Sequence, residues 1–252
     1  MRRRATGTAW RLGRICGLLL MALFGIAAAA RADEAFNLLA PAKLSGLHKQ
    51  SVRLSEYSIV VARPGSAVPL LDLDDQSLGI ALSHDDFCAA SLQGTVQVMG
   101  VRYMVAGKNG TSLADCSDDC PSCDAFALGE SRFLRVDHAD GLAGRTYGLV
   151  AYRTVAVRDG ALPAGTVLYI PAARGLRLPN GRRHDGYFFV ADTGALNSNQ
   201  LDLYTGSRPL SWWIIGSGRS GKTLPAYIVT DRTIVARLKA EHVAATRKFT
   251  AD

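Results

Sequence analysis

Apolar and polar positions along this chain change over in short runs bounded by glycine, proline and aspartate. Runs of this length with β-branched and aromatic residues predict strands. They fall at 57–62, 95–98, 101–105, 133–136, 147–157, 167–170, 187–191, 201–204, 212–215 and 226–229. Turn chemistry separates them, as at Pro64-Gly65, Asp159-Gly160 and Pro163-Ala164-Gly165. Residues 70–76 read as an acidic turn, 107–110 as a loop and 175–183 as a basic loop. Two segments carry helix signals. Ser83 is placed to cap one, with Asp85 and Asp86 in its first turn and Gly94 near its end. Asp231 is placed to cap the other, with Ile234, Val235, Leu238 and Val243 on one face. Residues 33–50 show no clear period. The pattern predicts an all-β domain with peripheral helices.

The first 32 residues change the picture. Arg2, Arg3, Arg4, Arg11 and Arg14 precede an apolar run at 15–30, and Ala30-Arg31-Ala32 offers a small-x-small cleavage site. That arrangement is a secretory signal peptide, expected to be cut after Ala32. The run is short for a membrane span. Cys16 sits at the start of the apolar run, with that run after it and not before it, so it does not suit lipidation, and the protein is not expected to be a lipoprotein. The chain then divides into a signal peptide at 1–32, a lead-in at 33–82 and the main domain at 83–252. The location expected is the periplasm or the outer-membrane and cell-wall boundary.

Export alters the charge argument. The chain has 29 Lys and Arg against 22 Asp and Glu, but six of the basic residues and none of the acidic ones lie in 1–32. The remainder carries 23 against 22, or +1. A nearly neutral mature chain gives no support to nucleic-acid binding. Cys88, Cys116, Cys120 and Cys123 remain. An even number in an oxidising compartment predicts two disulfides, with three pairings open. Cys120-Pro121-Ser122-Cys123 lacks the βαβ context of a redox site, and the compartment favours disulfides over zinc.

Candidate chemistry concentrates at 184–206, HDGYFFVADTGALNSNQLDLYTG. Asp185, Asp192 and Asp202 fall within 18 residues. The run 187–191 suits a buried strand that Asp192 ends, with Thr193-Gly194 as a turn. In Leu201-Asp202-Leu203-Tyr204 the alternation puts Asp202 and Tyr204 on one face and the leucines on the other. Two carboxylates then emerge from neighbouring strand ends, the pairing that glycosidic cleavage needs.

This stretch resembles the three-aspartate (3D) domain family, which includes the barrel domain of membrane-bound lytic transglycosylases. The residues that carry the resemblance are Ala191-Asp192-Thr193-Gly194 and Leu201-Asp202-Leu203-Tyr204. Upstream it takes in Tyr152-Arg153-Thr154-Val155-Ala156-Val157 and 165–171, and more weakly 87–94. The family's longer loop after its second aspartate, with an extra glycine and a lysine, is replaced here by Ala195-Leu196-Asn197-Ser198-Asn199. The resemblance implies a six-stranded double-psi β-barrel acting on peptidoglycan glycan strands. It implies cleavage by a single acid/base, Asp202, that protonates the glycosidic oxygen. The same group then deprotonates the muramyl C6 hydroxyl, giving a 1,6-anhydro end. Asp192 would raise the pKa of Asp202 and stabilise the transition state. Asp185, Thr193, Tyr204, Asn197 and Asn199 are the expected substrate contacts. The alternatives are a non-catalytic wall-binding module, motivated by the shorter loop, and ordinary hydrolysis by the same carboxylate pair. No metal or cofactor is expected, and the protein is expected to act as a monomer.

Three other signals read as structural. The residues 216–223, GSGRSGKT, match a phosphate-binding loop letter for letter, but Leu224-Pro225 and a strand-like run follow where the mechanism needs a helix. Nucleotide binding is therefore not expected. His184 reads as an exposed loop histidine. Of the adjacent Trp212 and Trp213, one is a candidate sugar platform.

Overall fold

The structure is a computed structural model, and it describes residues 36–118, 125–136, 142–143, 147–194, 196–206 and 222–247. The chain divides into two compact units, Met1–Leu39 and Ala40–Asp252, and the elements below belong to the second. The signal peptide, Cys120, Cys123, Trp212, Trp213 and all but the end of the phosphate-loop match lie outside the described residues.

In chain order the elements are β1 (Lys49–Tyr57), β2 (Val60–Ala62), β3 (Val68–Leu71), β4 (Ser77–Leu82), α1 (His84–Gln93), β5 (Thr95–Val98) and β6 (Val101–Lys108). There follow α2 (Ala125–Gly129), β7 (Ser131–Val136), β8 (Leu142–Ala143), β9 (Tyr147–Gly148), β10 (Thr154–Arg158) and β11 (Val167–Tyr169). A 3₁₀ turn at Pro171–Ala173 leads to β12 (Tyr187–Gly194), β13 (Gln200–Tyr204), β14 (Thr223–Ile228) and α3 (Arg232–Arg247).

Six strands close a barrel in the order β1-β13-β10-β12-β11-β14. β1 runs parallel to β13 and β10 parallel to β12; the other four pairings are antiparallel. Exchanging β1, β10, β11 for β12, β13, β14 reproduces every pairing. The barrel is therefore two interlocked three-strand halves, which is the double-psi arrangement. Its interior is apolar. Leu54, Val155, Val157, Val190, Leu201 and Leu203 are all buried there.

The chain between β1 and β10 does not belong to the barrel. It forms a four-stranded sheet, β2-β5-β6-β7, and the hairpin β3-β4. Phe87 and Phe133 meet edge-on at its centre, their ring centroids 5.8 Å apart. Ser83 caps α1 by accepting from the Asp86 N–H at 3.1 Å, and Gly94 ends it in the left-handed region at φ 84°. The β5–β6 hairpin turns through Met99 and Gly100, both with positive φ, as a tight primed turn requires. A disulfide joins Cys88 on α1 to Cys116.

Several expected boundaries move. β1 begins in the stretch that showed no period and runs to Tyr57, where the expected strand only starts, because only Val52 and Leu54 of its residues are fully buried. The barrel thus takes its first strand from the expected lead-in, and 95–136 make a separate sheet. β12 continues through Asp192, Thr193 and Gly194 instead of turning there. Thr223 opens β14, so a strand follows the phosphate-loop match. Asp231 caps α3 through the Thr233 and Ile234 N–H groups. No helix among the described residues is long and apolar enough to cross a membrane.

Candidate active site

Asp192 and Asp202 are not on neighbouring strands; β10 runs between them. Its Ala156 pairs with Asp202 on one side and with Asp192 on the other. Ser55 on β1 pairs with Asp202 in turn. Residues paired across a ladder share a face, so Ser55, Asp202, Ala156 and Asp192 form one row across four strands. At a strand spacing of about 4.8 Å, the backbones of the two aspartates lie roughly 10 Å apart along that row.

A bulge puts Asp192 in the row. Val155 pairs with Val190, but the next residue of β10, Ala156, pairs with Asp192, leaving Ala191 as the extra residue. In an unbroken strand Asp192 would share the face of Val190, which packs into the barrel. The bulge turns it to the opposite face.

Asp202, Ala156 and Asp192 of this row line one wall of a cleft of about 360 Å³. Gln93, Thr95, Met104 and Leu134, from α1, β5, β6 and β7, form the other. Among the described residues lining the cleft, Asp192 and Asp202 are the charged ones, and Thr193 lies beside them.

The two carboxyl groups are held differently. Asp192 accepts the Tyr57 O–H at 2.7 Å on Oδ2 and the Thr193 N–H at 2.8 Å on Oδ1. Burial raises its pKa, and these two bonds oppose the rise. Asp202 Oδ1 is buried with no hydrogen-bond partner among the described residues. Burial raises the Asp202 carboxyl, the Ser55 hydroxyl pulls it down, and the charge of Asp192 adds to the rise. Burial and the neighbouring charge thus shift the Asp202 carboxyl toward its protonated form.

Asp185 is elsewhere. It is buried and held by Arg153, with Nη1 at 2.6 Å and Nη2 at 3.1 Å from its two oxygens. Burial opposes its ionisation, but Arg153 outweighs that and its pKa falls. Gly186 follows at φ 93°, where a Cβ would come 2.7 Å from the Tyr169 ring. Asp185 therefore ties β10 to the start of β12 and does not face the cleft. Tyr204 is fully buried against Tyr57, ring centroids 5.4 Å apart, so it offers no exposed platform. Asn197 and Asn199 are exposed on the turn before β13, and Asn197 bonds Gln200.

His184 is buried, not exposed. Its Nδ1 accepts from the Gly186 N–H, so Nε2 carries the proton to the Tyr152 carbonyl. Burial and the charge of Arg153 push its pKa down to about 3. His242, on α3, stacks on Phe189 at 4.0 Å and bonds Thr154. Burial lowers it to about 4. Both rings are neutral fixtures.

Sequence reasoning does not single out Ser55, Tyr57 or Ala156 as site residues. Leu54-Ser55-Glu56-Tyr57 carries a faint alternation, but its polar side faces the cleft and so resembles a solvated edge.

No protein-family model matches the chain, and no curated protein matches its sequence. Solved structures do match. MltA of Escherichia coli with bound chitohexaose is 16% identical, with 71% of each chain covered and a TM-score of 0.46. A membrane-bound lytic murein transglycosylase of Agrobacterium tumefaciens is 14% identical, covering 75% of this chain and 78% of that one, at 0.45. MltA of Neisseria gonorrhoeae is 11% identical, covering 74% and 72%, at 0.41. The barrel topology stands on the strand pairing itself.

Proposed function

We propose that this is an exported peptidoglycan-active protein that cleaves glycan strands in the manner of a lytic transglycosylase. The observation that carries the reading is the asymmetry of the two carboxyl groups in one cleft. Asp202 has an oxygen without a partner among the described residues and a pKa raised by burial and by Asp192. Both oxygens of Asp192 are engaged. Asp202 is the acid/base: protonated first, it delivers its proton to the glycosidic oxygen. As carboxylate it then takes the proton of the muramyl C6 hydroxyl as that oxygen closes on C1. No water is consumed and the proton count balances. Asp192 supplies negative charge against the oxocarbenium-like centre. Thr193, next to Asp192 at the cleft, is a substrate contact. The substrate class comes from the ADTG and LDLY resemblance, which the cleft chemistry suits. No step calls for a metal or cofactor.

The test is digestion of purified sacculi followed by mass spectrometry. Wild-type protein should release 1,6-anhydromuramyl products, and Asp202→Asn should lose about 10²–10⁴ in rate, the usual worth of positioned acid–base assistance. Reducing ends without anhydro ends would make the protein a hydrolase. Pelleting with sacculi but releasing nothing would make it a binding module.

A further inference from the structure

The cleft holds two aspartates of the same chemical type, and the proposed reaction asks different things of them. One must begin protonated and the other must stay ionised. Burial raises both, so something else must separate them. The groups facing Asp192 are few. Tyr57 comes from β1 and Asp202 from β13; Tyr204, also on β13, packs on Tyr57. From α1, β5, β6 and β7 the described lining brings no charged side chain. Thr193 gives only its backbone N–H, from the adjacent residue of the same strand. Tyr57 is the distinctive partner.

We propose that Tyr57 is the positioning residue that divides the labour between the two aspartates: its O–H, 2.7 Å from Asp192 Oδ2, fixes that carboxylate and keeps it ionised while Asp202 keeps an oxygen free. The inference rests on the cleavage reading above and assigns Asp192 its role within it. The geometry is built for it. Tyr57 ends β1, 135 residues from Asp192 in sequence, and lines the cleft with it. Its ring leans on Tyr204, and the Thr205 N–H and hydroxyl both bond its carbonyl, at 2.9 and 3.0 Å. The phenol therefore has little freedom to swing away. Burial and the charge of Asp192 hold its own pKa well above the usual phenol range. It stays a donor at every pH where the enzyme could work. A donor to a carboxylate favours the charged form. Tyr57 need not touch substrate to act, since it works through Asp192.

The experiment follows the side-chain carboxyl carbons of aspartate-labelled protein by NMR, with the Asp192 resonance identified from its loss in Asp192→Asn. In Tyr57→Phe, Asp192 should titrate roughly one to two pH units higher than in wild type, the worth of a hydrogen bond to a charged group. On sacculi, the acid side of the pH–rate profile should move up by the same interval, with a smaller loss near the optimum. Fluorinated tyrosine at position 57, a stronger donor, should move the Asp192 titration the other way. That substitution keeps the ring and tests the idea even if Tyr57→Phe fails to fold. An unmoved Asp192 titration in these proteins, or an equal loss of rate at all pH, overturns the proposal. If wild type releases no product while Asp192 still follows residue 57, the cleavage reading falls and the anchoring stands.

Discussion

At the scale of single residues the site works against stability. Asp202 is a carboxyl group whose folded pKa is raised, so it favours the folded state below its unfolded pKa and that contribution is lost as pH rises through the folded value. Near neutral pH, ionised Asp202 is a buried charge with one oxygen unsatisfied. Asp202→Asn should therefore unfold at a higher temperature than wild type at pH 7, by roughly 2–4 °C per kcal/mol relieved in a chain of this size. The gap should close in acid, where wild type is protonated too. Scanning calorimetry across pH checks this, and a variant less stable at pH 7 would mean that the carboxylate is better compensated than its contacts indicate. The two aspartates themselves are legible in the sequence, because a turn-like ADTG and an alternating LDLY mark them. Ser55 and Tyr57 are not, since nothing local links them to residues so far along the chain. Tyr204 misleads for a related reason. Alternation assigns a face, but not whether another ring covers it.

Elements decide which way the residues point. The bulge at Ala191 is invisible to a pattern of period two, and without it Asp192 would face the barrel interior. β10 matters as much. It is the strand between the carboxyl groups, and Ala156 is the floor between them. Ala156→Leu should fill that floor and lower activity on sacculi at least tenfold, with a melting temperature within a few degrees of wild type, because the added atoms enter the cleft and leave the core intact. A normal rate would place the substrate elsewhere. On its other flank β10 meets the Arg153, Asp185 and His184 cluster and α3. His184 and His242 have folded pKa values of about 3 and about 4, below the ordinary 6.5. The folded state thus binds fewer protons than the unfolded state below pH 6.5, and stability falls as pH drops through that window. Each histidine can contribute up to about 1.4 kcal/mol per pH unit between 6.5 and its folded value. Asp185, lowered by Arg153, adds its share at the acid end. Denaturant titrations at pH 7, 6, 5 and 4 should show the decline, and His242→Gln should halve it between pH 6 and 4. A flat profile would mean that the rings are hydrated enough to charge.

For the whole molecule, the fold class is legible in the sequence and the division of the chain is not. Short strands with glycine and proline turns mark an all-β protein. Closure of a barrel depends on pairings such as β1 with β13, which join residues nearly 150 positions apart, as Arg53 with Gln200. The same long-range pairing explains why the lead-in supplies a barrel strand, β1, and why residues after that strand form the opposite wall of the cleft. That wall stands on a smaller core, and the Cys88–Cys116 bridge ties α1 to the connection between β6 and β7. Closing a loop across a separation of 28 residues is worth about 3–4 kcal/mol by chain entropy. The bridge lies in the second wall and not in the barrel, so its loss should show first in function. Reduced protein, or the Cys88→Ser, Cys116→Ser pair, should lose activity on sacculi at a lower denaturant concentration than oxidised wild type. Its unfolding midpoint should fall by an amount matching that free energy. Thiol titration of the unreduced, denatured protein should find no free cysteine, which would place Cys120 and Cys123 in a second bridge. If reduction leaves both the midpoint and the activity profile unchanged, the wall is held by its apolar core alone, and Phe87 and Phe133 become the residues to test.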